Sequence, residues 1–253
     1  MIFYFTATGN SLYVAKQLDK SPISIPQVEN GTTFKDSTIG IVCPAYCGEI
    51  PQIVFRFIRN TKFETDYLFL ILTYGMDATD SAEFTFHQCK KQGVLFDYIA
   101  CIKMVDNYLP AFDMAVERQM DKKIAEQLSV ITADIGNRKK GFPSATDAGR
   151  KLHKQVAFMN KLHPSANNGS SLTITNKCIG CGLCEKVCPV GNIRIANASA
   201  KRLNKKCEFC LACIQNCPNH AIALKRERNP GERYRNENIT LEEIISANNQ
   251  RKD

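Results

Sequence analysis

The chain has 253 residues, of which 44% are apolar and 23% charged, and its formal net charge is +8. That length suits one or two domains, and the composition excludes disordered, collagen-like and simple coiled-coil chains. No run of about 18 apolar residues occurs, so no membrane-spanning helix is expected. The N-terminal Met1-Ile2-Phe3-Tyr4-Phe5 has neither a basic segment nor a small-residue cleavage site, which predicts a cytosolic chain.

Residues 1–163 read as alternating strands and helices. Ile2 to Phe5 is a short apolar strand that ends at a Thr/Gly turn, and Ser11 to Leu18 is helical. Pro22 to Pro26 reads as an edge strand and Thr38 to Cys43 as a buried one, stopped by Pro44. A helix with Pro at its first position follows over Pro51 to Arg59. Tyr67 to Leu72 is the strongest strand, Asp80 to Gln92 a helix, and Val94 to Met104 a further strand. Val116, Met120, Ile124, Leu128, Ile131 and Ile135 recur every three or four residues and predict one long amphipathic helix. Leu152, Val156, Met159 and Leu162 predict a last one. Continuous apolar strands between helices imply an α/β domain with a five-stranded parallel sheet covered on both faces. The connection between its second and third strands has no room for a good crossover helix.

Residues 164–171 are polar and read as a linker. Residues 172–224 are cysteine-dense, and residues 225–253 form a charged tail in which Thr240-Leu241-Glu242-Glu243 predicts a capped final helix.

Eight of the twelve cysteines fall between Cys178 and Cys217, and they repeat at an offset of 29 residues. Cys178, Cys181, Cys184 and Cys188 map onto Cys207, Cys210, Cys213 and Cys217, and Pro189 maps onto Pro218. Each half is C-x2-C-x2-C-x3-C-P. Three cysteines two apart wrap one face of an iron–sulfur cubane, and the fourth is carried away to ligate the cluster of the other half. One cluster is therefore assigned to Cys178, Cys181, Cys184 and Cys217, the other to Cys207, Cys210, Cys213 and Cys188. Structural zinc favours two C-x2-C pairs, and disulfides need an oxidising compartment. The segment resembles bacterial ferredoxins with two [4Fe–4S] clusters, a small α+β fold, and departs from their pattern at no cysteine.

The loop Thr6-Ala7-Thr8-Gly9-Asn10-Ser11 joins the first strand to the first helix, where hydroxyls and open amides form an anion site. It lacks the Lys of a Walker loop and the glycines of a Rossmann turn, which leaves a monoester phosphate. Taken alone, the hexapeptide is equally an ordinary hydroxyl cap. Three more loops follow strand ends, where open parallel sheets bind ligands: Pro44-Ala45-Tyr46-Cys47-Gly48, Thr73-Tyr74-Gly75-Met76 and Asp106-Asn107-Tyr108. Aromatic residues there can stack on a flat ring, so the set predicts FMN.

The T-x-T-G-N-S loop and the aromatic loop Pro44 to Gly48 resemble those of flavodoxins, over residues 1 to about 160. That resemblance implies a flavodoxin-like doubly wound sheet in the order 2-1-3-4-5. It also implies that Thr6, Thr8, Gly9, Asn10 and Ser11 hold the phosphate and that Tyr46, Gly48, Tyr74 and Gly75 border the ring. The whole chain resembles the flavodoxin–ferredoxin fusions of anaerobic bacteria.

Residues 172–224 carry seven Lys/Arg against two Asp/Glu. Lys177, Lys186, Arg194, Lys201, Arg202, Lys205 and Lys206 flank the cysteines and can offset cluster charge, which removes most of the argument for a nucleic-acid partner. Cys43, Cys89 and Cys101 read as small buried apolar groups. His87, His153, His163 and His220 are isolated and carry no assigned chemistry. The expected function is electron transfer between clusters and FMN, with a redox protein as donor or acceptor. The alternatives are an FMN-dependent reductase of a small acceptor, such as a quinone, nitro compound or flavin, and a cluster-based redox sensor.

Overall fold

A computed structural model describes residues 1–163, 168–203 and 206–250. Pro164 to Asn167 of the expected linker, and Lys205, lie outside the described residues. The chain packs as two units. One comprises Met1–Phe5, Asn10–Val105 and Asp121–Met159; the other comprises Thr6–Gly9, Asp106–Met120 and the chain from Asn160 onward.

The first unit opens with β1 (Ile2–Tyr4), α1 (Asn10–Leu18), β2 (Ile23–Ser24), β3 (Thr33–Lys35) and β4 (Ile39–Pro44). It continues with α2 (Gln52–Asn60), β5 (Lys62–Glu64), β6 (Leu68–Tyr74), α3 (Ser81–Lys91) and β7 (Tyr98–Lys103). Helix α4 (Met114–Gln119) belongs to the other unit; α5 (Ile124–Gly136) and most of α6 (Asp147–Leu162) return to the first. Five strands form a parallel sheet in the order β2-β1-β4-β6-β7. Ile41, Val42, Leu70, Ile71, Leu72, Ile99 and Ile102 are fully buried, as unbroken apolar strands require when both sheet faces are covered.

No crossover helix joins β2 to β4. A 3-10 turn at Ile25–Gln27 and the short β3 fill that connection, and β3 pairs in parallel with β5 so that Phe34 lies opposite Phe63. Those rings pack with Phe3 and Phe57 at centroid distances between 4.6 and 6.3 Å. The aromatic cluster covers apolar surface that a helix would otherwise bury.

The single long helix expected over Val116 to Ile135 is two helices. Asp113 caps α4 by accepting the Ala115 N–H, Met120 is extended, and Lys123 takes a left-handed conformation at φ 50°. Val116 and Met120 are exposed while Leu128 and Ile131 are buried, so the apolar period ran across a break that it could not reveal.

In the second unit, β8 (Leu172–Ile174), α7 (Leu183–Lys186), β9 (Ile193–Ala196), β10 (Ser199–Arg202), α8 (Ala212–Gln215), β11 (Ile222–Leu224) and α9 (Leu241–Asn248) follow one another. Strands β8 and β11 pair antiparallel, and β9 and β10 form a hairpin closed by Asn197 and Ala198, both left-handed as a tight hairpin turn demands. The sequence repeat is also a backbone repeat. Helix α7 maps onto α8 at the 29-residue offset, and the left-handed positions Gly180, Gly182 and Gly191 map onto Phe209, Leu211 and His220. The capping box of α9 is formed: Thr240 Oγ1 accepts the Glu243 N–H, and Glu243 Oε2 accepts the Thr240 N–H. Among the described residues, no helix is long and apolar enough to cross a membrane.

Candidate functional site

In the first unit, the carboxyl ends of the sheet strands bring several sequence-selected residues together. Pro44 pairs with Thr73 at the ends of β4 and β6, and Ala45 N–H donates to the Thr73 carbonyl at 2.9 Å. Ser11, in the first turn of α1, shares a 2.9 Å hydrogen bond with the Thr73 hydroxyl, and Asn10 Nδ2 donates to the Val105 carbonyl at 3.1 Å. Tyr46, Tyr74 and Gly75 are half-buried, and Cys47 is exposed with a left-handed φ of 53°.

In the second unit, Thr6, Ala7, Thr8 and Gly9 are buried. Thr6 Oγ1 accepts the Gly9 N–H at 3.0 Å, and Thr8 Oγ1 accepts from Asn107 Nδ2 at 2.6 Å. In both bonds the hydroxyl oxygen accepts, which leaves its own hydrogen available for donation. Gly9 has φ +101°, and a Cβ there would lie 2.9 Å from Asn236 Cβ. Tyr108 is exposed. The tail holds this loop from above its backbone: Asn236 N–H donates to the Thr8 carbonyl at 2.7 Å, and buried Asn248 Nδ2 donates to the Thr6 carbonyl at 2.9 Å.

The eight clustered cysteines line two cavities. Cys178, Cys181, Cys184 and Cys217 surround one, and Cys188, Cys207, Cys210 and Cys213 surround the other. Each cavity thus takes three cysteines from one repeat and the fourth from the other. Among the described residues, no three His, Cys, Asp or Glu side chains converge closely enough to hold a single metal ion. Thiols spread around a cavity suit a cluster that takes one ligand at each corner.

The backbone completes both sites. Ala200 N–H donates to Cys178 Sγ at 3.4 Å, Asn192 N–H to Cys188 Sγ at 3.2 Å, Phe209 N–H to Cys207 Sγ at 3.4 Å and Ala221 N–H to Cys217 Sγ at 3.3 Å. The bonds from Asn192 and Ala221 are again related by the repeat. Gly180 is needed by shape, since a Cβ there would lie 2.7 Å from the Ala198 carbonyl oxygen. The Ala200 N–H holds the Cys178 thiol below its usual range. Burial pushes Cys184 up to about 12 and Cys210 and Cys213 well above the usual thiol value. Loading thiols of this kind with metal releases protons, so cluster assembly is favoured by rising pH.

The two cavities differ in charge. Among the described residues no charged side chain lines the first, whereas Arg202 and Glu208 line the second. Arg202 Nη1 is buried with no hydrogen-bond partner among the described residues. Arg202 as a whole is half-buried, but a buried N–H without an acceptor is costly, and an anionic cluster is a group that would satisfy it. Of the other flanking cations, Arg194 is already paired with buried Glu185 at 2.8 Å.

Residues 156–222 match the 4Fe-4S dicluster domain family. The chain carries a two-cluster ferredoxin domain. Forty-eight of its residues are 48% identical to a subunit of the ion-translocating oxidoreductase complex of Methanosarcina acetivorans, covering 19% of this chain and 18% of that one. A 67-residue stretch is 34% identical to an uncharacterized ferredoxin of Methanocaldococcus jannaschii, covering 24% of this chain and 42% of the relative. The chain thus spans less than half the length of either relative. No solved structure matches it.

Two features carried no sequence signal. Within the ferredoxin-bearing unit, buried Gln215 stands between the ligands Cys213 and Cys217. Its Nε2 donates to the Asn107 carbonyl at 2.9 Å, and its Oε1 accepts the Tyr234 N–H at 2.8 Å. In the first unit, His153 is 4% exposed, with Nδ1 2.6 Å from Asp80 Oδ1 and Nε2 3.5 Å from Glu49 Oε1. Glu49 foremost, and Asp80, hold its imidazole above the usual range. A Cβ on Gly48 would lie 2.8 Å from this ring. No motif encodes such a contact, because its three ionisable groups are remote in sequence. Cys43, Cys89 and Cys101 have thiols raised by burial, the last two to about 12 and about 11, as suits packing groups.

Proposed function

We propose that the chain transfers electrons between two [4Fe–4S] clusters and a bound FMN. In this reading residues 1–163 are a flavodoxin-like domain, 172–224 the ferredoxin domain and 225–253 a tail. Cys178, Cys181, Cys184 and Cys217 hold one cluster, and Cys207, Cys210, Cys213 and Cys188 the other. The observation that carries the reading is the sorting of eight thiols into two cavities of four, each borrowing its last cysteine from the opposite repeat.

The flavin half is supported by the strand order β2-β1-β4-β6-β7 and by the hydroxyl-rich turn that follows β1. Thr6, Thr8 and Ser11 would donate to the phosphate through their hydroxyls, and Gly9 and Asn10 would present backbone amides. Ala7 would keep the turn small. Tyr46, Gly48, Tyr74 and Gly75 would border the ring. Bound FMN supplies a centre that exchanges one or two electrons, whereas each cluster exchanges one. Tethering both in one chain raises their effective concentration for each other. The external partner is a redox protein.

Anaerobic preparation followed by iron, sulfide and flavin assays, then stepwise reduction with optical and paramagnetic-resonance detection, tests this directly. Two clusters and one FMN per chain, exchanging electrons, are expected. Clusters without any affinity for FMN would overturn the flavin half, and a colourless protein the whole.

A further inference from the structure

We propose that Arg202 is the built-in counter-charge of the cluster held by Cys188, Cys207, Cys210 and Cys213, and that it raises that cluster's reduction potential without acting comparably on its twin. The inference rests on the ligand assignment above and goes beyond it, since the repeat makes the two sites equivalent in cysteines but not in charge.

Arg202 ends β10 and lines the second cavity, while among the described residues no Lys or Arg lines the first. Its Nη1 is buried with no hydrogen-bond partner among the described residues. A Cβ built at Gly169 would lie 2.7 Å from Cys207 Sγ and 3.4 Å from Arg202 Nη1, so the ligand sulfur and the guanidinium flank one point. A glycine there lets both groups approach. Leaving a guanidinium nitrogen buried and unpaired is unfavourable unless an anion completes its surroundings. A cluster with four thiolate ligands is such an anion, and it becomes more negative when it takes up an electron. The nearby cation stabilises the reduced form more than the oxidised one, which raises the potential, charge being one of the settings of cluster potential. Glu208 is the other charged residue lining this cavity and acts in the opposite sense.

The test is a reductive titration of the anaerobic, fully loaded chain with a chemical reductant, followed by paramagnetic resonance. Wild type, Arg202→Gln, Arg202→Lys, Glu208→Gln and Cys207→Ala are compared. Arg202→Gln is expected to lower one of the two midpoint potentials and leave the other in place. The signal that moves is the one missing from Cys207→Ala. Arg202→Lys recovers most of the shift, and Glu208→Gln moves the same signal upward. Should Arg202→Gln fail to retain that cluster, half the iron is lost, and its restoration in Arg202→Lys supports a role for charge. Loss in both variants, no shift in Arg202→Gln, or equal shifts of both signals would overturn the proposal. A Cys207→Ala protein that keeps both clusters would instead overturn the ligand assignment.

Discussion

Paired cysteine replacements test the crossed arrangement more sharply than single ones. Each cavity presents four thiols, and each takes three from one repeat and one from the other. Replacing any one of the eight by Ala removes a corner ligand from one cluster and is expected to halve the iron. Single variants therefore cannot tell a crossed from an uncrossed arrangement. Pairs can. Cys178→Ala with Cys217→Ala removes two ligands from the same cavity, so the second replacement costs no further iron and half remains. Cys178→Ala with Cys188→Ala breaks both cavities, and almost no iron remains. Effects of neighbours that share one cluster are non-additive, whereas effects at separate clusters add. The assay is iron and acid-labile sulfide per chain on anaerobically prepared protein. If the first pair lost all iron while the second kept half, each repeat would hold its own cluster and the reasoning from the cavities would be refuted.

Gly180→Ala forces a left-handed backbone at φ +66° on a residue with a Cβ, at about 1–2 kcal/mol, and drives that Cβ to 2.7 Å from the Ala198 carbonyl oxygen. Selective loss of the Cys178-side cluster is expected, read as half the iron. Gly9→Glu adds charge and bulk where a Cβ already lies 2.9 Å from Asn236 Cβ; fluorescence titration should show weakened FMN binding with cluster absorbance unchanged. His153 has a raised folded pKa through Glu49 and Asp80. Its stabilising contribution is complete below the unfolded value of about 6.5 and is lost as pH rises through the folded pKa. Thermal midpoints followed from pH 5 to pH 9 should therefore fall more steeply in wild type than in His153→Gln, and parallel curves would refute this role.

Strands β1, β4 and β6 were legible because each is a nearly continuous apolar run, and a run buried on both faces has no other stable environment. The cysteine repeat was legible because spacing in a cluster loop is set by the cluster. Helix α4 and helix α5 were merged because their stripes keep one period across Met120 to Lys123, where the chain turns extended and then left-handed. Strands β3 and β5 escaped because each carries a single phenylalanine among polar neighbours, and only the pairing of Phe34 with Phe63 makes them a strand pair. Nor did the sequence reveal that Thr6–Gly9 and Asp106–Met120 pack in one unit with the chain from Asn160 onward. That grouping depends on hydrogen bonds from Gln215, Asn236 and Asn248 to main-chain carbonyls, and carbonyls are offered by every residue type.

The two repeats show what a cluster site demands of a chain and what it leaves free. Three left-handed positions recur at the same offset in both halves, with glycine at Gly180, Gly182 and Gly191 and with side chains at Phe209, Leu211 and His220. The conformation is therefore dictated by wrapping the site, not by the residue that occupies it. In the second half it is held against a local preference of about 1–2 kcal/mol per residue. Such a conformation persists only where the surroundings over-determine it. For Phe209 and Leu211 the surroundings are the four thiols of their cavity and the N–H groups aimed at the sulfurs, and a bound cluster would add to them. The Cys207 loop consequently has the weaker local preference for its own shape, and iron release to a chelator should begin at the cavity it forms with Cys188. Release that starts instead from the cavity of Cys178, Cys181, Cys184 and Cys217, as followed by the separate paramagnetic signals, would show that backbone strain does not set the order of loss.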